Sequence, residues 1–153
     1  MKIHKLILAF LITSICFINS LKSQTYSDGV GIRIGIANGV DVSLDYKHFF
    51  SEKIAGEAFI NFNTGFTIFG ALLESHQYLQ DVSSGLTFYY GGGLGLATGS
   101  GFSRLVLIGI AGLDFKFEAL PIDIAFDWTP NLLLGEGGRF SADSISLIGR
   151  YTF

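Results

Sequence analysis

The chain has 153 residues, 49% of them hydrophobic and only 15% charged, with 20 Gly, 15 Phe and a formal net charge of −3. Disordered chains are poor in apolar and aromatic residues, and nucleic-acid binders carry clustered Lys and Arg; both classes are excluded. The length suits one domain.

The chain opens on a short basic segment, Met1 to Lys5, followed by a mainly apolar run from Leu6 to Ile18. That run is too short to cross a ~30 Å hydrocarbon core as a helix and has the length of a secretory h-region. We therefore expect a signal peptide over 1–23, cut after Ser23, and a mature domain over 24–153; Leu21 leaves the exact cut open. Cys16 is the sole cysteine and lies inside the h-region, with Ile15 rather than a small residue before it, which argues against lipidation. The mature chain then has no thiol, and loss of Lys2, Lys5 and Lys22 leaves 7 basic against 13 acidic residues.

Beyond residue 24 the pattern is alternation with period two, broken by turn residues, which reads as strands. Val30, Ile32, Ile34 and Ile36 alternate with smaller or polar residues, and Asn38-Gly39 then signals a two-residue type I′ hairpin. Val40, Val42, Leu44 and Tyr46 continue, opposite Asp41, Ser43, Asp45 and Lys47. After a turn at 49–53, Ile54, Ala58, Ile60 and Phe62 alternate with Ala55, Glu57, Phe59 and Asn61. A fourth strand covers 66–76, with its parity undetermined, and 77–84 is a connection.

The fifth strand carries Leu86, Phe88, Tyr90, Leu94 and Leu96, and residues 97–103 read as a Gly/Ser-containing loop. Leu105, Leu107, Leu113, Phe115 and Phe117 form the sixth face, opposite Asp114 and Lys116. A tight turn at 118–121 leads to Ile122, Ile124, Phe126 and Trp128, alternating with Asp123, Ala125, Asp127 and Thr129. Residues 131–143 form the longest loop. Ile145, Leu147, Tyr151 and Phe153 end the chain opposite Ser146, Arg150 and Thr152.

Eight strands of this kind have mostly the ~9–11 residues of a tilted membrane span. Outside the fourth strand, no Asp, Glu, Lys or Arg falls in the apolar register, whereas Arg33, Asp41, Asp45, Lys47, Glu57, Asp114, Lys116, Asp123, Asp127 and Arg150 all fall in the other. An eight-stranded barrel has room inside for little more than ordinary side chains, so the large apolar set belongs outside. The expected fold is all-β: an antiparallel up-and-down transmembrane barrel of eight strands, whose closure satisfies the backbone hydrogen bonds that a bilayer leaves unmet. Val106, Ile108 and Ile110 on the inward register run against this pattern.

Aromatic residues fit interfacial girdles. Tyr46, Phe49 and Phe50, then Phe115 and Phe117, then Tyr151 and Phe153 fall at the periplasmic end by strand count, and Trp128 near the opposite rim. The final stretch, Ile145 to Phe153, alternates and ends on Phe. It resembles the C-terminal signal of bacterial outer-membrane barrels, with Tyr151 and Phe153 as its aromatic positions. Together with Tyr89-Tyr90-Gly91-Gly92-Gly93 and the segment from Leu120 to Pro130, it resembles small eight-stranded outer-membrane proteins of the Bacteroidota, broadly OmpA/OmpX-like. The resemblance implies contact with outer-membrane lipids and recognition by the barrel-assembly machinery during biogenesis.

The ten inward ionisable residues must pair, because a buried charge is tolerated only with partners. We expect a network joining Arg33, Lys47, Lys116 and Arg150 to the six carboxylates, acting as a polar plug rather than an ion path. Catalysis is not expected: His48 and His76 read as interfacial or turn residues, and Ser75 and His76, as strand neighbours, point to opposite faces. The Gly-rich run 91–101 lacks the spacing of a phosphate-binding loop. No cofactor or metal is expected, since two separated histidines without cysteine build no convincing site. Two readings remain: a non-enzymatic envelope barrel that meets partners through 97–103 and 131–143, and a secreted soluble barrel holding a small apolar ligand inside.

Overall fold

The computed structural model describes residues 26–153 apart from Asn38 and Glu136, so the expected signal peptide lies outside the described residues. There are ten strands and, among the described residues, no helix: β1 Asp28–Ile36, β2 Val40–Ser51, β3 Ile54–Asn63, β4 Phe66–Tyr78, β5 Leu86–Gly99, β6 Phe102–Lys116, β7 Ile122–Trp128, β8 Asn131–Leu133, β9 Phe140–Ser141 and β10 Ile145–Thr152. All pairings are antiparallel, and β1 pairs with β10 while β5 pairs with β6, which closes the sheet into a barrel.

The ten strands make eight staves. β8 continues β7 in the same register against β6, since Trp128 faces Ala111 and Asn131 faces Ile108. Thr129 and Pro130 interrupt the run. The Gly109 N–H donates to the Pro130 carbonyl at 2.8 Å, and proline has no N–H with which to return the bond. β9 likewise prolongs β10, but the two residues between Trp128 and Asn131 face the three between Ser141 and Ile145, a bulge that bends the stave. The expected long loop over 131–143 is therefore largely a hairpin laid against β6. The expected loop over 97–103 is also mostly strand: Ala97 pairs with Arg104, Thr98 with Ser103 and Gly99 with Phe102, leaving Ser100-Gly101 as the turn. Small residues read as loop by composition, but here β4 and β6 flank them and complete their ladders.

The first hairpin also differs from expectation. Its register sets Ile36 opposite Val40, so three residues rather than two separate the strands. Directly opposed residues share a face of the sheet. A two-residue Asn38-Gly39 turn would have set Ile36 against Asp41 and mixed the faces. Parity therefore overrides the turn signal.

Following paired partners once around from Ile54, through Ser75, Tyr90, Ala111, Trp128, Ile145, Ile36 and Val40, returns to β3 about ten residues further on, because Val42 faces Phe62. Such a stagger tilts the staves and fixes a narrow interior. Apolar side chains line the outer surface: Val30 is 50% exposed, Leu94 53% and Tyr151 57%. Lys47, Asp123 and Asp127 are wholly buried inside. Val106, Ile108 and Ile110 do face inward, where they pack with Leu72, Ala97 and Ile148 into a small apolar core on one side of the lumen.

The lumenal charge network

Burying ionised groups inside a barrel demands that oppositely charged staves meet across it, and two arginines do this. Arg33 on β1 donates from Nη1 to both Asp127 oxygens at 3.0 and 2.9 Å and from Nη2 to Glu57, with Asp45 at 3.5 Å. Its guanidinium lies 5.6 Å from the centre of the Phe59 ring. Arg150 on β10 donates from Nε to Asp45, from Nη1 to Asp123 at 3.1 Å and from Nη2 to Glu57 at 2.6 Å. Glu57 thus carries one arginine on each oxygen. The planar five-donor fork of arginine makes this arrangement possible.

Lys47 extends the network toward the end of the barrel that carries Asp28 and Phe153. Its ammonium lies 3.4 Å from Glu57, 2.8 Å from Glu74 and 4.2 Å from the centre of the Tyr89 ring. The Tyr89 hydroxyl donates to Asp127 at 2.9 Å, and its ring stacks on His76 with centroids 5.2 Å apart. A Cβ on Gly112 would stand 2.7 Å from that ring, so glycine makes the space Tyr89 occupies. His76 Nε2 is 3.0 Å from Glu74, and Nδ1 is 3.8 Å from Asp114.

Below this layer Tyr26 closes the lumen. Its hydroxyl donates to Asp123 at 3.2 Å, and its ring meets Phe49 edge-on at 5.1 Å. Burial, reinforced by the Asp123 charge, raises the Tyr26 phenol well above its ordinary value.

Of the ten residues singled out in the sequence, Arg33, Asp45, Lys47, Glu57, Asp123, Asp127 and Arg150 meet directly, and Asp114 stands at the edge beside His76. Two lie elsewhere. Lys116 ends β6 and donates to the carbonyls of Phe117 and Leu120 at 2.6 and 2.7 Å, because its position beside the turn puts those oxygens within reach. Asp41, near the opposite end, accepts from the Asn61 amide at 2.5 Å.

Glu74, His76 and Tyr89 belong to the network although the sequence reading does not assign them to it. β4 carries apolar residues on both faces, Phe69 and Leu73 outward with Ile68 and Leu72 inward, so alternation alone could not orient Glu74 and His76. His76 is wholly buried in the lumen rather than at an interface or turn, and Phe49 points inward instead of joining a girdle. His48 is the outward histidine: Nδ1 lies 2.8 Å from Asp28, whose same oxygen accepts from the Tyr46 hydroxyl at 2.5 Å. Trp128 faces outward and donates from its indole to the Ala142 carbonyl at 2.6 Å. Tyr151 and Phe153 are exposed on the outer wall at the end of the chain. Ser75 pairs with Tyr90 and His76 with Tyr89, on opposite faces of the wall.

No family model and no curated protein matches the sequence. Solved structures do match in shape. The N-terminal β-barrel domain of Pseudomonas aeruginosa OprF superposes with a TM-score of 0.60 at 13% identity, covering 84% of this chain and 100% of that one. A de novo designed transmembrane β-barrel gives 0.60 at 12% identity, covering 87% of this chain and all of the design. Neisserial surface protein A gives 0.54 at 12% identity, covering 82% and 94%. Likeness at such low identity shows a shared fold: the chain forms a closed eight-stave antiparallel barrel similar to those of outer-membrane proteins.

Proposed function

We propose that this chain is an integral outer-membrane β-barrel whose lumen is plugged by its own side chains, and that it serves the cell envelope in a structural or surface-interaction role without catalysing a reaction. The observation that carries the reading is the partition of charge. The outer wall presents Val30, Ile32, Leu94, Ile124 and their neighbours, while both network arginines, Lys47 and the carboxylates they bind are enclosed. Hydrocarbon outside and a filled polar centre inside is the arrangement that a bilayer selects. The signal-like N-terminus supports export, and the alternating end at Tyr151 and Phe153 supports insertion by the barrel-assembly machinery. The sequence segments that resemble Bacteroidota barrels favour that type of outer membrane. A soluble barrel with an apolar ligand inside would need an apolar centre, and the centre here holds Arg33, Arg150 and Glu57.

Cell fractionation and a gel test this reading. The protein is expected to pellet with outer membranes, to require detergent, and to migrate differently before and after heating. Reconstituted in a planar bilayer, it is expected to give no large steady conductance. Recovery from the aqueous fraction without detergent would overturn the membrane reading, and a stable open current would overturn the plug.

A further inference from the structure

The charge network fills only part of the lumen. Above it, at the end remote from Asp28 and Phe153, the barrel opens into a cup of about 540 Å³, within the ~300–1,000 Å³ typical of small-molecule sites. Arg33 lines the cup, and its Nε is buried without a hydrogen-bond partner. One wall is polar. Asp41, Ser43 and Asn61 form a linked set, the Asn61 amide donating to Asp41 at 2.5 Å and to Ser43 at 2.9 Å, and the Asn63 amide donates on to Asn61 at 2.7 Å. Ser43, Asn61 and Ser146 are all more than nine-tenths buried. The facing wall is apolar, with Ile68, Val106 and Ile108.

Formal charge in the cup is close to balanced. The Arg33 guanidinium is already neutralised from the network side by Asp127 and Glu57, and Asp41 and Arg139 offset one another among the lining residues. A cation or an anion would therefore gain little. A molecule with several hydroxyls and one C–H face suits both walls, since hydroxyls can both donate to carboxylate and amide oxygens and accept from N–H groups.

We infer that this cup binds a neutral sugar unit, its hydroxyls on the Asp41–Asn61 wall and its C–H face against Ile68, Val106 and Ile108. A free saccharide and the end of a glycan chain offer the same recognition chemistry. Binding requires the folded barrel but not its membrane setting, so the inference and the proposed function fail separately.

The experiment is titration of detergent-folded protein, with folding checked by heat-dependent gel migration, against methyl glucoside, maltose and dextran, followed by calorimetry and by NMR shifts. Saturable binding of at least one is expected; methyl glucoside or maltose alone points to free sugar, and dextran to chain ends. Asn61→Leu and Ser146→Val are expected to weaken binding at least tenfold, and Lys116→Gln, at the far end of the barrel, to leave it unchanged. Should Asn61→Leu not fold, Asn63→Leu on the more exposed rim reads the same wall and is expected to weaken binding severalfold. No saturable binding by folded protein, equal affinity in the folded wall variants, or binding of sodium sulfate in competition with sugar would overturn the inference.

Discussion

Arg150 and Glu57 stand 93 positions apart in the sequence and meet at 2.6 Å in the centre of the barrel. That contact ties the last stave to the third, and it exists only once the barrel has closed. The other Glu57 oxygen takes Arg33, so one carboxylate couples β1, β3 and β10. In a narrow eight-stave lumen the ion network is the packing, and its loss is a loss of core.

Arg150→Met is expected to destabilise the folded barrel by about 3–5 kcal/mol, because Asp45, Glu57 and Asp123 would each lose a buried partner. Combining Arg150→Met with Glu57→Gln is expected to cost clearly less than the two singles together, since each variant removes the same contact. Urea titration followed by the heat-modifiable gel band measures both.

The carboxylates should not respond alike. Three permanent cations, Arg33, Lys47 and Arg150, face Asp45, Glu57, Glu74, Asp114, Asp123 and Asp127, so the enclosed set is rich in acid. Asp114 has His76 at 3.8 Å as its ion-pair neighbour, whereas Asp127 holds Arg33 by two bonds and accepts from Tyr89. Asp114→Asn is expected to change stability by less than about 1 kcal/mol, and Asp127→Asn to cost about 2–4 kcal/mol. The same unfolding titration separates them.

Much of this was legible from residue types and parity. Arg33, Asp45, Lys47, Glu57, Asp123, Asp127 and Arg150 share one register, and closure of the sheet brings them together. What escaped has physical causes. Glu74 and His76 lie on a strand whose two faces are similarly apolar, so period two gave no direction. The hairpin made by β8 and β9 sits in polar, Gly-containing sequence, and its order comes from Leu132 and Leu133 pairing with β6, a contact distant in the chain. Phe49 looked like an interfacial ring, yet its parity is that of Asp45 and Lys47, and it turns in to meet Tyr26 and His76.

A charge placed on the outer wall has a different cost in hydrocarbon and in water. Ile124 lies outward near the middle of β7, flanked by Phe115 and Gly149. If that wall meets hydrocarbon, Ile124→Arg is expected to cost about 2–4 kcal/mol of folding free energy in lipid vesicles. The same change on a water-facing wall would be close to neutral. Refolding titrations into vesicles decide between them, and a cost below about 0.5 kcal/mol would count against lipid contact.

Tyr26 offers a test of how tightly the lumen is closed at the terminal end. Burial first, and then the Asp123 carboxylate, hold its phenol in the protonated form well past the ordinary value. The unfolded chain has no such environment, so Tyr26 ionises there near pH 10 and in the folded barrel only at higher pH. A group whose folded value is raised contributes stability that is complete below the unfolded value and disappears as pH climbs through the folded one. Wild type is therefore expected to lose stability steeply above about pH 10. Tyr26→Phe, which deletes the hydroxyl bonded to Asp123 at 3.2 Å, is expected to cost about 1 kcal/mol at neutral pH and to lose less than wild type at alkaline pH. Parallel unfolding titrations at pH 8 and pH 11 read the difference, with phenolate absorbance reporting whether folded wild type holds one more ionisation-resistant tyrosine than folded Tyr26→Phe. Equal alkaline losses in the two proteins would mean that water reaches the Tyr26 hydroxyl and that the ring does not seal this end of the lumen.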